Sequence, residues 1–274
     1  MIRLLNAGFT RLRKNKVFWG ITIFSIGLAL LMIYTEYSDM KKYEKVIEIE
    51  QLMLNYATMI GIVIAIFTSL FIGVEYSDGA IRNKISIGHK RTNIYLSNLA
   101  ITITASLFFY ILCMIVVAIA GTPVFGGVAM PMLAFLKLIG STFVMLFAYS
   151  SIFTFLAMII SNKTITSITS IILAFGLMMF AMVCFSIIDM PEYIQSASLV
   201  NGEMKFEEIP NPKYPSEQER KVYQTLLDIN PAGQGFQLAG RLAPNLKILP
   251  IYSLGILVAF TGLGLIIFNK KELK

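Results

Sequence analysis

Long apolar runs alternate with short charged segments along this chain. Six runs, residues 17–34, 52–74, 94–120, 132–160, 164–188 and 250–268, each hold about enough consecutive apolar side chains to cross the roughly 30 Å hydrocarbon layer as a helix. A barrel strand would alternate in polarity over about ten residues, and none of the six does. The pattern predicts an all-α fold, an integral membrane bundle of six transmembrane helices. Only Lys137, near one end of the fourth run, breaks their neutrality.

Ahead of the first run, Ile2, Leu5, Phe9 and Leu12 fall within about 80° of one another at helical spacing. Arg3, Asn6, Thr10, Arg11 and Lys14 take up much of the other side. Residues 1–16 are therefore expected to form an amphipathic interfacial helix at the membrane surface, with the same basic side chains serving as topology anchors.

The connections differ in kind. Residues 35–51 are short and charged, 121–131 a Gly/Pro turn, 161–163 minimal, and 189–249 the one sizeable external segment. In that segment Pro191, Pro210, Pro212 and Pro215 punctuate extended chain. Ser216 and Glu219 have capping-box spacing and open a helix to about Asp228. Asn230-Pro231 restarts the chain, and residues 232–239 predict a second short helix on the outer membrane surface. A small helical lid is the expectation.

Composition narrows the class. With 274 residues, 56% hydrophobic and 14% charged, the chain lies outside the range of a soluble domain. It reads as one transmembrane domain over residues 1–274. If both termini lie inside, the inner segments hold 13 of the 23 Lys and Arg but 3 of the 16 Asp and Glu. The net charge of +7 is then a topology signal, with no need for nucleic-acid binding. Cys113 and Cys184 sit inside runs and read as packing residues. The first run is longer than a signal-peptide core and lacks a small-x-small cleavage site, so an uncleaved helix is expected. Small residues Ser25, Gly27 and Ala29, and Ser167, Ser170 and Ala174, suit either a subunit contact or packing within one subunit.

No acid or histidine lies at membrane depth, where an ion-coupled transporter needs one. No serine/histidine pair, paired aspartate or zinc motif suits an intramembrane protease. The single histidine, His89, lies in a loop, so catalytic and metal-ligating residues are expected to be none. A structural or sensory membrane subunit stays open on these grounds.

The densest chemistry falls in residues 75–93, between two neutral runs. Ser77 or Asp78 can cap a short helix and Gly88 can end it in a left-handed conformation. Ile81 and Ile85, spaced i,i+4, form an apolar ridge able to enter a partner's cleft, with Arg82 and Lys84 pointing elsewhere.

The run Gly73-Val74-Glu75-Tyr76-Ser77-Asp78-Gly79-Ala80-Ile81-Arg82-Asn83-Lys84, followed by Gly88, Arg91 and Ile94-Tyr95-Leu96-Ser97, resembles the coupling-helix region of bacterial type-two ATP-binding-cassette exporter permeases, of the peptide/antibiotic exporter kind. It departs from that pattern at Ala80, where threonine is common, and at Asn98, where lysine is common. The resemblance implies a multi-pass protein of the bacterial cell membrane, and the distribution of Lys and Arg places both termini in the cytoplasm. It implies a homodimer or a pair of related permeases, each bound to a separate ATPase subunit. The chain has no G-x-x-x-x-G-K-[ST] loop, so it is not expected to be an enzyme or to hold a cofactor, with ATP and Mg on the ATPase. ATPase coupling falls, by resemblance, to Glu75, Gly79, Ile81, Arg82, Asn83, Lys84, Ile85 and Gly88, with Arg91 beside them. The interfacial helix, through Ile2, Leu5, Phe9 and Leu12, adds a second contact. The implied cargo is amphipathic or hydrophobic, an antimicrobial or toxin peptide first, a lipid or small drug otherwise.

Overall fold

The computed structural model of the chain describes residues 1–200 and 203–272. Eleven helices and one hairpin follow in order among the described residues: α1 Ile2–Lys14, α2 Lys16–Tyr43, α3 Ile49–Asn55, α4 Ile60–Ser77, α5 Ala80–Ser86, α6 Arg91–Phe125, α7 Met132–Ile159, α8 Lys163–Ile188, β1 Tyr193–Val200, β2 Glu203–Pro210, α9 Glu217–Ile229, α10 Pro231–Ala239 and α11 Leu249–Lys270. Six of them, α2, α4, α6, α7, α8 and α11, are long and apolar enough to cross a membrane.

The bundle has a centre and a periphery. Helix α4 packs on α7 and α8, α7 on α11, and α2 on α6. Within their most apolar windows α4 and α7 are each 67% buried, against 17% for α8 and for α11. The first two therefore form the core and the last two present most of their surface outside the bundle. Phe18, Phe67 and Phe109 join α2, α4 and α6, with Phe67 edge-on to Phe109 at 5.5 Å between ring centroids. Cys113 and Cys184 are buried free thiols. Ser25 and Ala29, like Ser170 and Ala174, are buried within this one subunit, while Gly27 is exposed.

Four features differ from the sequence reading. Helix α2 runs on to Tyr43 through the charged stretch read as a loop. Residues 52–74 are not one span: α3 ends at Asn55, a 3-10 turn occupies Tyr56–Thr58, and α4 starts at Ile60. Local polar competition contributes to the break, since the Thr58 hydroxyl donates to the Asn55 carbonyl at 2.8 Å. The Tyr56 hydroxyl is meanwhile tied to Ser25 Oγ at 2.8 Å. The remaining 18 residues of α4 reach about 27 Å, close to the hydrocarbon thickness.

The proline-punctuated stretch is an antiparallel hairpin, Tyr193 opposite Pro210 and Val200 opposite Glu203. The sequence carries a hairpin signal in Asn201-Gly202, which lie outside the described residues, and the flanking prolines obscure it. Helix α10, expected on the surface, is instead sunk among α3, α7, α8 and α9 and is nearly all buried. A Cβ on Gly235 would stand 2.6 Å from the Ala57 carbonyl, so only glycine admits this approach. The end carrying α1 and α5 is here called the basic end, and the other the hairpin end.

A charge cluster secures the hairpin end. Glu50 is fully buried and accepts the backbone N–H of Met130 at 3.0 Å and of Ala129 at 3.4 Å. Arg241 pairs with Glu48 and lies 3.8 Å from Glu50. It does so at φ 56°, a region that strains a non-glycine residue by about 1–2 kcal/mol. These contacts hold that conformation and tie the start of α3 to two distant loops.

Candidate coupling site

Two glycines shape the elbow between α4 and α6. After Ser77 the chain turns at Gly79, whose φ of 66° reverses its direction into α5. Neither Ser77 nor Asp78 caps α5, contrary to the expectation, because Gly79 occupies the N-cap with no side-chain bond. The Ser77 hydroxyl turns back to the Gly73 carbonyl at 3.2 Å. At the far end Gly88, φ 93°, sends its N–H to the Ile85 carbonyl at 2.9 Å while the His89 N–H reaches Lys84 at 3.1 Å. Those two bonds are the paired arrangement by which a left-handed residue closes a helix.

The apolar ridge faces the other way from the one expected. Ile81 is 1% exposed and Ile85 is packed against the core, so both hold α5 to its own bundle. Arg82, Asn83 and Ser86 are exposed, and Ile87, unremarked in the sequence, is the apolar tip at 78% exposure. The surface open to a partner is therefore Arg82, Asn83, Ser86 and Ile87.

Behind the elbow lies Glu75, 3% exposed in the last turn of α4. Its carboxylate pairs with Arg11 of α1 and Lys84 of α5, and accepts from Asn98 Nδ2 of α6 at 3.0 Å. Four helices thus meet on one carboxylate. A carboxylate buried alone would cost several kcal/mol, which two cations and an amide offset. The Arg11 guanidinium also stacks 3.7 Å from the Phe71 ring centre. Burial pulls its pKa down from the ordinary arginine value, opposed by the neighbouring Glu75 charge, and an arginine remains charged throughout. Asn98, which stood out as a departure from the family pattern, is the amide in this cluster.

Helical spacing puts Arg11 on the polar side of α1, yet it turns inward with Leu4, Gly8 and Leu12. Of the four apolar residues expected on one face, Leu12 is buried, Leu5 and Phe9 are half-buried, and Ile2 is 75% exposed. The bundle takes the Leu4–Leu12 side, and Ile2 is left to the surroundings.

Arg91 belongs to a second cluster. It donates to the Phe268 carbonyl at 3.0 Å and to that of Lys271. Lys271 Nζ in turn donates to the Ile159 carbonyl at 2.7 Å and to Met158 and the Tyr76 hydroxyl at 3.2 Å. The end of α11 is thereby fastened to α4, α6 and α7. His89 is a half-buried loop residue.

Six apolar helices with a charged elbow at one end define a multi-pass α-helical membrane protein. A family described as ABC-2 family transporter protein matches residues 4–188, more than half of the chain, and the chain belongs to that family. Membership makes it a transporter permease and implies an ATPase partner. No curated relative matches it. The hairpin, α9, α10 and α11 lie beyond the matched residues.

Proposed function

We propose that the chain is the permease subunit of an ATP-binding-cassette exporter that moves an amphipathic or hydrophobic substrate out of a bacterial cell. An antimicrobial or toxin peptide is the favoured cargo. ATP is hydrolysed, with Mg, on a separate ATPase subunit docked against α5, and the chain itself catalyses nothing. Both termini face the cytoplasm, in keeping with retention of basic residues on that side. A second permease, identical or related, completes the pathway.

The Glu75 cluster carries this reading. A load on α5 passes through Lys84 to Glu75, and from there to α1, α4 and α6 together. The exposed faces of the lipid-side helices, with Met179, Met182, Phe175 and Phe180 on α8, support an apolar or amphipathic cargo, because flexible methionines re-pack around varied partners.

Ile87→Asp tests the docking role. The side chain is exposed, so the variant should insert and fold normally, yet lose most of the ATPase retained on purification and most ATP-driven transport in vesicles. Full retention with undiminished transport would remove α5 from the coupling role.

A further inference from the structure

At the hairpin end a cleft of about 850 Å³ opens between the first turns of α7 and the chain entering α11. Lys137, Gly140 and Val144 line it from α7, and Leu246, Lys247 and Ile248 from the chain before α11. Its position is the membrane boundary. Lys137 lies five residues past the start of α7, about 7.5 Å along it, and Lys247 stands two residues before α11. Leu133, Leu136 and Ile251, at 67%, 55% and 65% exposure, flank the region with exposed apolar surface.

Both lysines are exposed, and among the described residues neither has an acid within 4.0 Å. Two exposed like charges at the membrane boundary, neither paired with an acid among the described residues, favour an anion at the cleft. Gly140 leaves that wall open, since a Cβ there would meet nothing within 4 Å. A soluble anion would satisfy the lysines but leave the apolar wall bare. A ligand with one anionic group and a hydrocarbon tail satisfies both.

We propose that this cleft binds an anionic phospholipid from the leaflet at the hairpin end. Its phosphate lies between Lys137 and Lys247, and an acyl chain runs along Gly140 and Val144. The site is independent of the cargo and of the orientation proposed above, because phospholipid is present in both leaflets.

The test is native mass spectrometry of the full chain released from detergent micelles. Phosphatidylglycerol and phosphatidylcholine with matched acyl chains are offered in turn. The wild-type chain should retain the anionic lipid preferentially, with a contribution of about fivefold from each lysine. Lys137→Gln with Lys247→Gln should bring retention down to that of phosphatidylcholine. Gly140→Leu, whose added bulk enters open space, should lose both lipids and serves as the second variant should the charge variant fail to insert. Glycerol phosphate, which has no acyl chain, should not displace the bound lipid. Equal retention of the two lipids, a preference that survives loss of both lysines, or displacement by glycerol phosphate would each overturn the proposal.

Discussion

Glu75 is where the energetics of the basic end concentrate. Removing one member of a buried ion cluster costs more than the cluster contributes, because the remaining charges are left without partners. Glu75→Ala should therefore destabilise the protein by about 3 kcal/mol, seen as an earlier thermal transition in detergent, with Arg11→Ala less severe because Lys84 keeps the carboxylate paired. A melting curve unchanged by Glu75→Ala would mean that the cluster adds nothing. Ile81→Asp forces a charge into a site with 1% exposure and should abolish the folded protein. Recovery of normally folded Ile81→Asp would contradict the inward packing of α5. The elbow between α4 and α6 was legible in the sequence as a cluster of residue types, but the direction of each side chain was not. Arg11 looks like a polar-face residue on a helical wheel because the wheel contains no Glu75.

Single elements show the same division. The capping box on α9 forms as the Ser216–Glu219 spacing predicts, with Glu219 accepting from the Ser216 N–H and hydroxyl at 2.8 Å each. Those bonds, the backbone one foremost, hold the Glu219 carboxyl below its ordinary range. Its contribution is thus present above the usual carboxylate pKa and lost as pH falls through the depressed value. Protection factors of the amides at the start of α9, with the intrinsic exchange rate divided out, should fall on acidification, and should already be low at neutral pH in Glu219→Ala. Helix α10 could be located from Asn230-Pro231 but not its depth, since a nine-residue helix has the same local signals on a surface or in a core. Gly235→Val would push a side chain onto the Ala57 carbonyl, so a loss of about 1–3 kcal/mol in thermal stability is expected from overpacking. A neutral result would show that α10 can withdraw without cost.

Across the whole molecule, the two ends are fastened by polar groups from segments far apart in the chain. At the basic end Lys271 is only partly exposed, and burial, followed by the charge of Arg91, pushes its amine down to about 8. An unfolded tail binds that proton up to the ordinary lysine range, so between about 8 and that range the unfolded state holds more protons and stability rises with pH. Wild-type protein should gain thermal stability over Lys271→Met as the buffer is raised through that window, and a constant difference would argue against the shift. The hairpin end depends on Glu50, Arg241 and the loop at Ala129 and Met130 in the same way.

Number, type and approximate limits of the membrane helices were in the sequence, because the length of an apolar run and the spacing of turn residues are local properties that the bilayer and the backbone read directly. So was the family, carried by the ordered residues around Glu75 and Gly79. Tertiary structure alone decided that Ile81 faces inward and Ile87 outward, that Arg11 reaches Glu75, and that α10 lies inside the bundle. Each of these depends on which helix packs beside which, and that packing is set by groups meeting across the bundle that no stretch of chain contains together.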